Sequence, residues 1–424
     1  MDPTLVGFCL AMTLAGAGLG LFSGLAPGIH VNTLAAMLLA SQSALSAAFS
    51  GHLGAEGAAA AVCCCIMSAS VVHSFVDFVP SVFIGAPDGE DAVSVLPGHR
   101  LLLKGRGMEA VRAAAIGSLV GAATAVLIAV PLQILLSGPA GEALDSLTPL
   151  VLILVSGILL VSEHRRGSGV WGPVAFCVSG LLGLMCMTVP ASFDGILGED
   201  GVMMPLLTGL FGIPVLLEGI GQARIPRQSD RVLDPVGAVP GLKGVAMGAV
   251  AGWFSGITST VGASVSSALF PESSPARFIS CVASVGTVTS VLDLVTLSVS
   301  GDGRSGTALA IGEIAGDSVS GVMSQTFMLL LLSSAVASLL GYWLTIASGR
   351  MMSGLVCRIR PARMNRAVIA ALVVLTFALS GPHGLLVLLC STVVGLIPGF
   401  FGTGRVILCG CLIVPVLMFR LGIA

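Results

Sequence analysis

Charge is what this sequence has least of. Of its 424 residues only 9% are Asp, Glu, Lys or Arg, where a soluble domain carries roughly 25%. So few charges cannot cover a water-facing surface, which excludes an ordinary soluble globule. Aromatics are scarce too, at 5% with a single Tyr. Nineteen basic residues against 21 acidic ones leave a net charge of −2; the bases are too few and too clustered for a nucleic-acid surface. No Walker A motif is present, so ATP-driven transport has no support. Catalytic triads, C-x-x-C pairs and Cys/His clusters are missing as well. The chain is therefore not expected to be an enzyme, and no cofactor is expected beyond Na⁺ as a coupling ion. Met1-Asp2-Pro3-Thr4 has no basic segment, so no cleavable signal is evident, and Asp2 without neighbouring bases favours an external N-terminus.

What is abundant is apolar and small. Hydrophobic residues make up 55%, glycines number 56, and mean hydropathy is +1.03. Stretches near the ~20 residues needed to span hydrocarbon recur at 113–136, 147–161, 171–190, 201–221, 322–347, 367–380 and 383–397. These properties predict an all-α polytopic protein of the cell membrane. Eleven cysteines lie mostly inside apolar runs, as in Cys63-Cys64-Cys65, and read as packing residues rather than disulfides. Small residues let membrane helices approach closely, which suits a tight bundle.

Internal similarity divides the chain into 1–222 and 223–424. Phe22-Ser23-Gly24-Leu25 recurs as Phe254-Ser255-Gly256-Ile257, and Ser74-Phe75-Val76-Asp77 matches Ser290-Val291-Leu292-Asp293. Gly172-Pro173 matches Gly381-Pro382, and Pro214-Val215-Leu216 matches Pro415-Val416-Leu417. Loop charge then indicates orientation, because cytoplasmic loops are rich in Lys and Arg. The basic loop 99–112 has an acidic counterpart at 302–321, where Arg304 is the single base. The base-free loop 137–146 has a basic counterpart at 349–366, and 162–170, with Arg165 and Arg166, has a base-free counterpart at 381–384. Basic and non-basic loops exchange places three times. This predicts two inverted-topology repeats, each with an odd number of crossings, and a site at their interface near the midplane, as in secondary transporters.

Each half begins with an interrupted helix. Residues 18–40 run into Ser23-Gly24 and then Pro27-Gly28, and resume near Asn32-Thr33. Proline cannot continue helical hydrogen bonding, and glycine lets the backbone turn. The second half repeats the break with Ser255-Gly256, Thr258, Ser259, Thr260 and Ser264. Pro398-Gly399 marks a third. One reading is a pair of kinked helices or ordinary loops. The other is a binding site, because irregular backbone at membrane depth survives where it is buried in protein or lines a polar cavity. The paired occurrence favours the site, with Ser23, Gly24, Pro27, Gly28, His30, Asn32 and Thr33 on one side and Ser255, Gly256, Thr258, Ser259 and Thr260 on the other. Helix N-termini at such breaks attract anions. Asp77 and Asp293 occupy matched positions in apolar runs, and His73 lies one helical turn before Asp77. These three are candidate ion-coupling residues, since intramembrane ionisable groups are costly and functional by default. The competing reading is that they cap helix ends or make one interhelical hydrogen bond.

Several stretches carry a family resemblance. They are Gly24-Leu25-Ala26-Pro27-Gly28, the turn Gly85-Ala86-Pro87-Asp88-Gly89, Pro97-Gly98-His99, the basic loop Lys104-Gly105-Arg106-Gly107, the run 110–121, and Gly209-Leu210-Phe211-Gly212-Ile213-Pro214. The chain resembles the large membrane subunit (permease) of the tripartite tricarboxylate transporters over most of both halves, most specifically at 85–121. It departs from that pattern in having Thr258-Ser259-Thr260 where Pro-Gly is expected, no Asn before Pro87, and His30 and Asn32 in place of small residues. It thus looks like a divergent, archaeal-type member. The resemblance implies a secondary carrier of small organic anions such as di- and tricarboxylates, a symporter driven by H⁺ or Na⁺. It also implies a small membrane subunit and an extracytoplasmic binding protein as partners; a homodimer is a further expectation. The alternative cargo is a polyisoprenyl phosphate, moved by a flippase with similar paired breaks. A membrane enzyme or a scaffold ranks below both.

Overall fold

The computed structural model describes all residues except 1, 27–28, 30, 86–94, 189–193, 196–197, 200–201, 220–224, 270–271, 359–360 and 424. The regular structure among the described residues is helical apart from a two-residue antiparallel pairing of Asp194–Gly195 with Gly198–Glu199. In order, the helices are α1 (Pro3–Leu25), α2 (Val31–Ala40), α3 (Gln42–Val76), α4 (Phe78–Ile84), α5 (Val95–Leu103), α6 (Gly107–Leu136), α7 (Pro139–Ser146), α8 (Thr148–Arg165) and α9 (Trp171–Thr188). Next come α10 (Met203–Leu207) and α11 (Ile213–Glu218), joined by a π-helical turn, then α12 (Ala238–Trp253), α13 (Ser259–Leu269), α14 (Pro275–Ser300) and α15 (Gly306–Ala315). The chain closes with α16 (Gln325–Val356), α17 (Pro361–Gly395), α18 (Ile397–Phe401) and α19 (Gly410–Arg420). Eight helices among the described residues are long and apolar enough to cross a membrane. The protein is an all-α, multi-pass membrane protein. Within the stretch 201–221 the described residues form a shorter apolar helix, Met203–Glu218.

Glycine rows set the central packing. A Cβ on Gly16 would fall 2.1 Å from the Cys65 carbonyl oxygen, and one on Gly20 2.5 Å from that of Ala69. Only a residue without Cβ permits α1 to lie this close on α3. The same contacts recur in the second half. A Cβ on Gly244 would fall 2.5 Å from the Cys281 oxygen, and one on Gly248 2.6 Å from Val288 and 3.0 Å from the Val285 oxygen. Hydrogen bonds recur with them: Ser68 Oγ donates to the Thr13 carbonyl at 2.7 Å, and Ser284 Oγ to that of Gly241 at 2.6 Å. The shift between the halves is 228 on the first helix (Gly16 to Gly244) and 216 on the third (Cys65 to Cys281). The Phe-Ser-Gly match in the sequence, at 232, is therefore one helical turn out of the packing register.

Contacts between the halves come in exchanged pairs. Gly117 of α6 lies on Ser280 of α14, and Ser333 of α16 donates to the Cys64 carbonyl of α3 at 3.0 Å. Gln133 bonds Ser298 further along the first pair, and Gly341 meets Phe75 further along the second, so the helices within each pair run parallel. By contrast, Gly349 near the end of α16 meets Met108 and Val111 at the start of α6, while Gln133 near the end of α6 accepts the Met323 N–H at 3.0 Å, just before α16. Thus α6 and α16 are antiparallel, and so are α3 and α14. Where α3 and α14 cross, the matched residues Ser74 and Ser290 hydrogen-bond each other at 3.0 Å.

Loops sort by charge to two ends. Asp230 of the inter-half linker pairs with Arg112 at 2.7 Å and Arg350 at 3.8 Å, bringing the basic segments 99–112, 222–243 and 349–366 together. The linker is strapped to the turn before α6. Gly105 O accepts the Ser229 N–H at 2.8 Å, and Glu109, almost fully buried, accepts the N–H groups of Leu233 and Asp234 as well as the Arg106 guanidinium. At the opposite end, Asp145 meets Arg304.

Candidate functional site

Both interruptions read from the sequence are present. The chain leaves α1 at Ala26, whose backbone is extended (φ −94°, ψ 102°), as the residue before a proline prefers. It re-enters a helix at Val31. It leaves α12 at Phe254, also extended, and passes Gly256 at φ 86°, a left-handed conformation that glycine adopts at little cost. Thr258 Oγ1 accepts the Val261 N–H at 3.4 Å and opens α13. With ten and eleven residues, α2 and α13 are about 15–17 Å long, half of the ~30 Å hydrocarbon core. Pro398 and Gly399, read from the sequence as a third break, lie inside α18, and the chain turns instead at the left-handed Gly402 that follows it.

Around the first break, Ser23 in the last turn of α1 is buried, and its Oγ is hydrogen-bonded to His73 Nδ1 at 2.9 Å. Gly24 packs on Val76 and the His73 carbonyl. Asn32 Oδ1 accepts the Thr307 N–H at 3.2 Å, and Thr33 is half-buried in the same turn. Pro27, Gly28 and His30 lie outside the described residues. At the second break, Ser255 Oγ accepts from Arg304 Nη1 at 2.8 Å, Gly256 packs on Val416, and Ser259 and Thr260 are buried in the first turn of α13. Ser264 Oγ donates to the Thr260 carbonyl at 2.9 Å.

The turn between α14 and α15 joins the two breaks. Arg304 reaches Ser255 at one end, and three residues later Thr307 binds Asn32 and lies 3.5 Å from Ser70 Oγ. Asp293 holds this turn in place: its carboxylate accepts the N–H of Arg304 at 2.7 Å and that of Ser305 at 2.8 Å. Ser305 Oγ then caps α15 by accepting the Ala308 N–H at 3.2 Å. Asp77 is buried at the junction of α3 and α4. Arg304 is itself nine-tenths buried, and its Nη2 meets Asp145 Oδ1 at 2.9 Å, while Asp145 Oδ2 accepts from Arg420 at 3.1 Å. No cluster of three His, Cys, Asp or Glu suited to a metal ion occurs among the described residues.

Sequence reasoning missed Arg304, Ser305, Thr307, Ser70 and Asp145. The one signal for Arg304 was its isolation as the single base of an otherwise acidic loop. The arrangement offers hydroxyls, two short-helix N-termini and one guanidinium between broken membrane helices, which suits anion binding.

The protein is thus a multi-pass helical membrane protein in which one polar turn bonds Ser255, ahead of one half-length helix, and Asn32, in the first turn of the other. The model of the tripartite tricarboxylate transporter TctA family matches residues 10–410, and the chain belongs to that transporter family. Among curated proteins it is similar to the uncharacterized protein MJ1079 of Methanocaldococcus jannaschii, with 28% identity over 296 residues, 69% of each chain. No solved structure matches.

Proposed function

We propose that the chain is the permease of a secondary carrier for small organic anions such as di- and tricarboxylates, driven by an H⁺ or Na⁺ gradient. The observation that carries this reading is the bridge from Ser255 through Arg304 and Thr307 to Asn32. It gathers groups suited to a carboxylate between two interrupted helices. Pro27, Gly28, His30, Thr33, Gly256, Thr258, Ser259 and Thr260 complete the proposed lining. His73, Asp77 and Asp293 are the proposed coupling groups; of these, Asp293 also holds the turn that carries Arg304.

Residues 1–222 and 223–424 act, in this reading, as inverted repeats. Support comes from the recurring α1–α3 and α12–α14 contacts, the exchanged pairs and the antiparallel course of α3 and α14. A two-fold relation produces such self-complementary contacts, and opposed helix directions put its axis across the helices. The basic end is then cytoplasmic, in the cell membrane, with the N-terminus outside. The word tripartite in the family description supports two further components, which we take as a small membrane subunit and an extracytoplasmic binding protein. No observation supports a homodimer.

Uptake of labelled citrate and succinate into proteoliposomes, with and without imposed H⁺ and Na⁺ gradients, tests the reading. Gradient-dependent accumulation is expected. Absence of gradient dependence across the carboxylate panel overturns it.

A further inference from the structure

We infer that Arg304 is the cation that takes one carboxylate of the transported anion, and that Asp145 holds its place until the anion arrives. This rests on the carboxylate-carrier reading above.

The argument starts from hydrogen-bond geometry. A guanidinium grips a carboxylate best through two parallel N–H bonds. This protein contains such a grip at Arg106, whose Nε and Nη2 bond the two oxygens of Glu109 at 2.8 and 2.5 Å. Arg304 offers the same Nε–Nη2 edge, but only Nη2 is engaged, by one oxygen of Asp145 at 2.9 Å. Its Nε is buried and has no hydrogen-bond partner. Asp145 cannot easily supply the second bond, because its other oxygen is drawn to Arg420 Nη1 at 3.1 Å.

The pairing points the same way. The Asp145 carboxylate is shared by two guanidiniums, and Asp293 engages the backbone N–H of Arg304, not its guanidinium. A carboxylate that displaced Asp145 would occupy both donors of the Arg304 edge. A buried donor left unbonded is unfavourable, so the exchange is stabilising at Arg304. The remaining face of Arg304 is already fixed by Nη1 on Ser255, and its backbone by Asp293. The edge is thus oriented before any ligand arrives.

Asp145 also has somewhere to be released from. It sits on α7, the short connector between α6 and α8, and not on either interrupted helix. Its side chain is about one-third exposed, against one-tenth for Arg304. Arg420 lies in the last turn of α19, where helix carbonyls favour a cation, so it is not left in an unfavourable field when Asp145 departs.

Wild-type protein, Arg304→Gln, Arg304→Lys and Asp145→Asn are compared in two measurements. One is the shift of thermal unfolding with added citrate or succinate in detergent; the other is uptake of the same labelled anions into proteoliposomes. Asp145→Asn is expected to lower the half-saturating anion concentration by about three- to ten-fold, because the competing carboxylate becomes a neutral amide and its bond to Arg304 loses its charge assistance. Arg304→Gln is expected to abolish the anion-dependent shift, and Arg304→Lys to retain only part of it, since lysine is a point charge without the edge. A folded Arg304→Gln that binds these anions like wild type overturns the inference, as does an Asp145→Asn that binds no more tightly. If Arg304→Gln does not fold, the Asp145→Asn comparison decides alone. Normal uptake by Arg304→Gln overturns the inference and leaves the carrier reading standing. Arg304-dependent binding without uptake in any protein does the reverse. No effect of either anion on the wild type, in either measurement, overturns both.

Discussion

At residues 26–30 the chain leaves α1 and enters α2, and the described polar contacts there are made by Ser23, His73, Ser70, Asn32 and Thr307. At residues 254–258 it leaves α12 and enters α13 beside a nearly buried guanidinium that is paired with Asp145. The backbone plan is shared: an extended residue ends each long helix, and a helix of ten or eleven residues follows. The side-chain chemistry is not. Glycine spacing and helix contacts are set by packing in both halves alike, whereas the polar groups at the two breaks differ.

Five substitutions test how far the two breaks differ. Removing the clasp should matter most: Asp293→Ala leaves the Arg304 and Ser305 N–H groups without their acceptor and should cost about 2–4 kcal/mol of stability. It should also cut uptake more than ten-fold, measured by thermal unfolding and proteoliposome flux. Next, Gly24→Ala should destabilise more than Gly252→Ala, by roughly 1 kcal/mol or more. The added Cβ would lie 3.0 Å from Val76 in the first case and 3.3 Å from Leu292 in the second; equal melting temperatures would remove the packing distinction. Asn32→Ala frees the Thr307 N–H and should cost about 1 kcal/mol, with a measurable rise in KM. Ser255→Ala should be smallest in stability, a few tenths to ~1 kcal/mol, because Arg304 retains Asp145. If Ser255→Ala proves worse than Asn32→Ala, the ranking of the two breaks is inverted.

Much of this fold is legible in the sequence, but not its register. Low charge and long apolar runs establish the helical membrane class, and Pro27-Gly28 and Ser255-Gly256 locate the interruptions. Matching the halves by short motifs slips, however, because glycine recurs every fourth residue at 16, 20 and 24 and again at 244, 248, 252 and 256. Sliding by one turn preserves the match, and only contacts with α3 and α14 choose between the alternatives. The site is harder to read. Arg304 meets Asp145 across 159 positions and Thr307 meets Asn32 across 275, distances at which no periodicity carries information. The basic loop 99–112 was legible as a topology signal. Its second use, holding the linker through Glu109 and Gly105, was not, because that depends on which backbone N–H groups arrive there.

The hydrogen bond between Ser74 and Ser290 has a consequence for movement. In the proposed inverted-repeat reading these two residues are each other's counterparts, so the exchange of the two halves maps their contact onto itself. It is a fixed point of that operation. If the carrier alternates by letting each half take up the other's shape, helices far from this crossing must travel while the crossing stays where it is. The serine pair is then a pivot, intact in both end states, and the displacement of any residue during the cycle should grow with its distance from it.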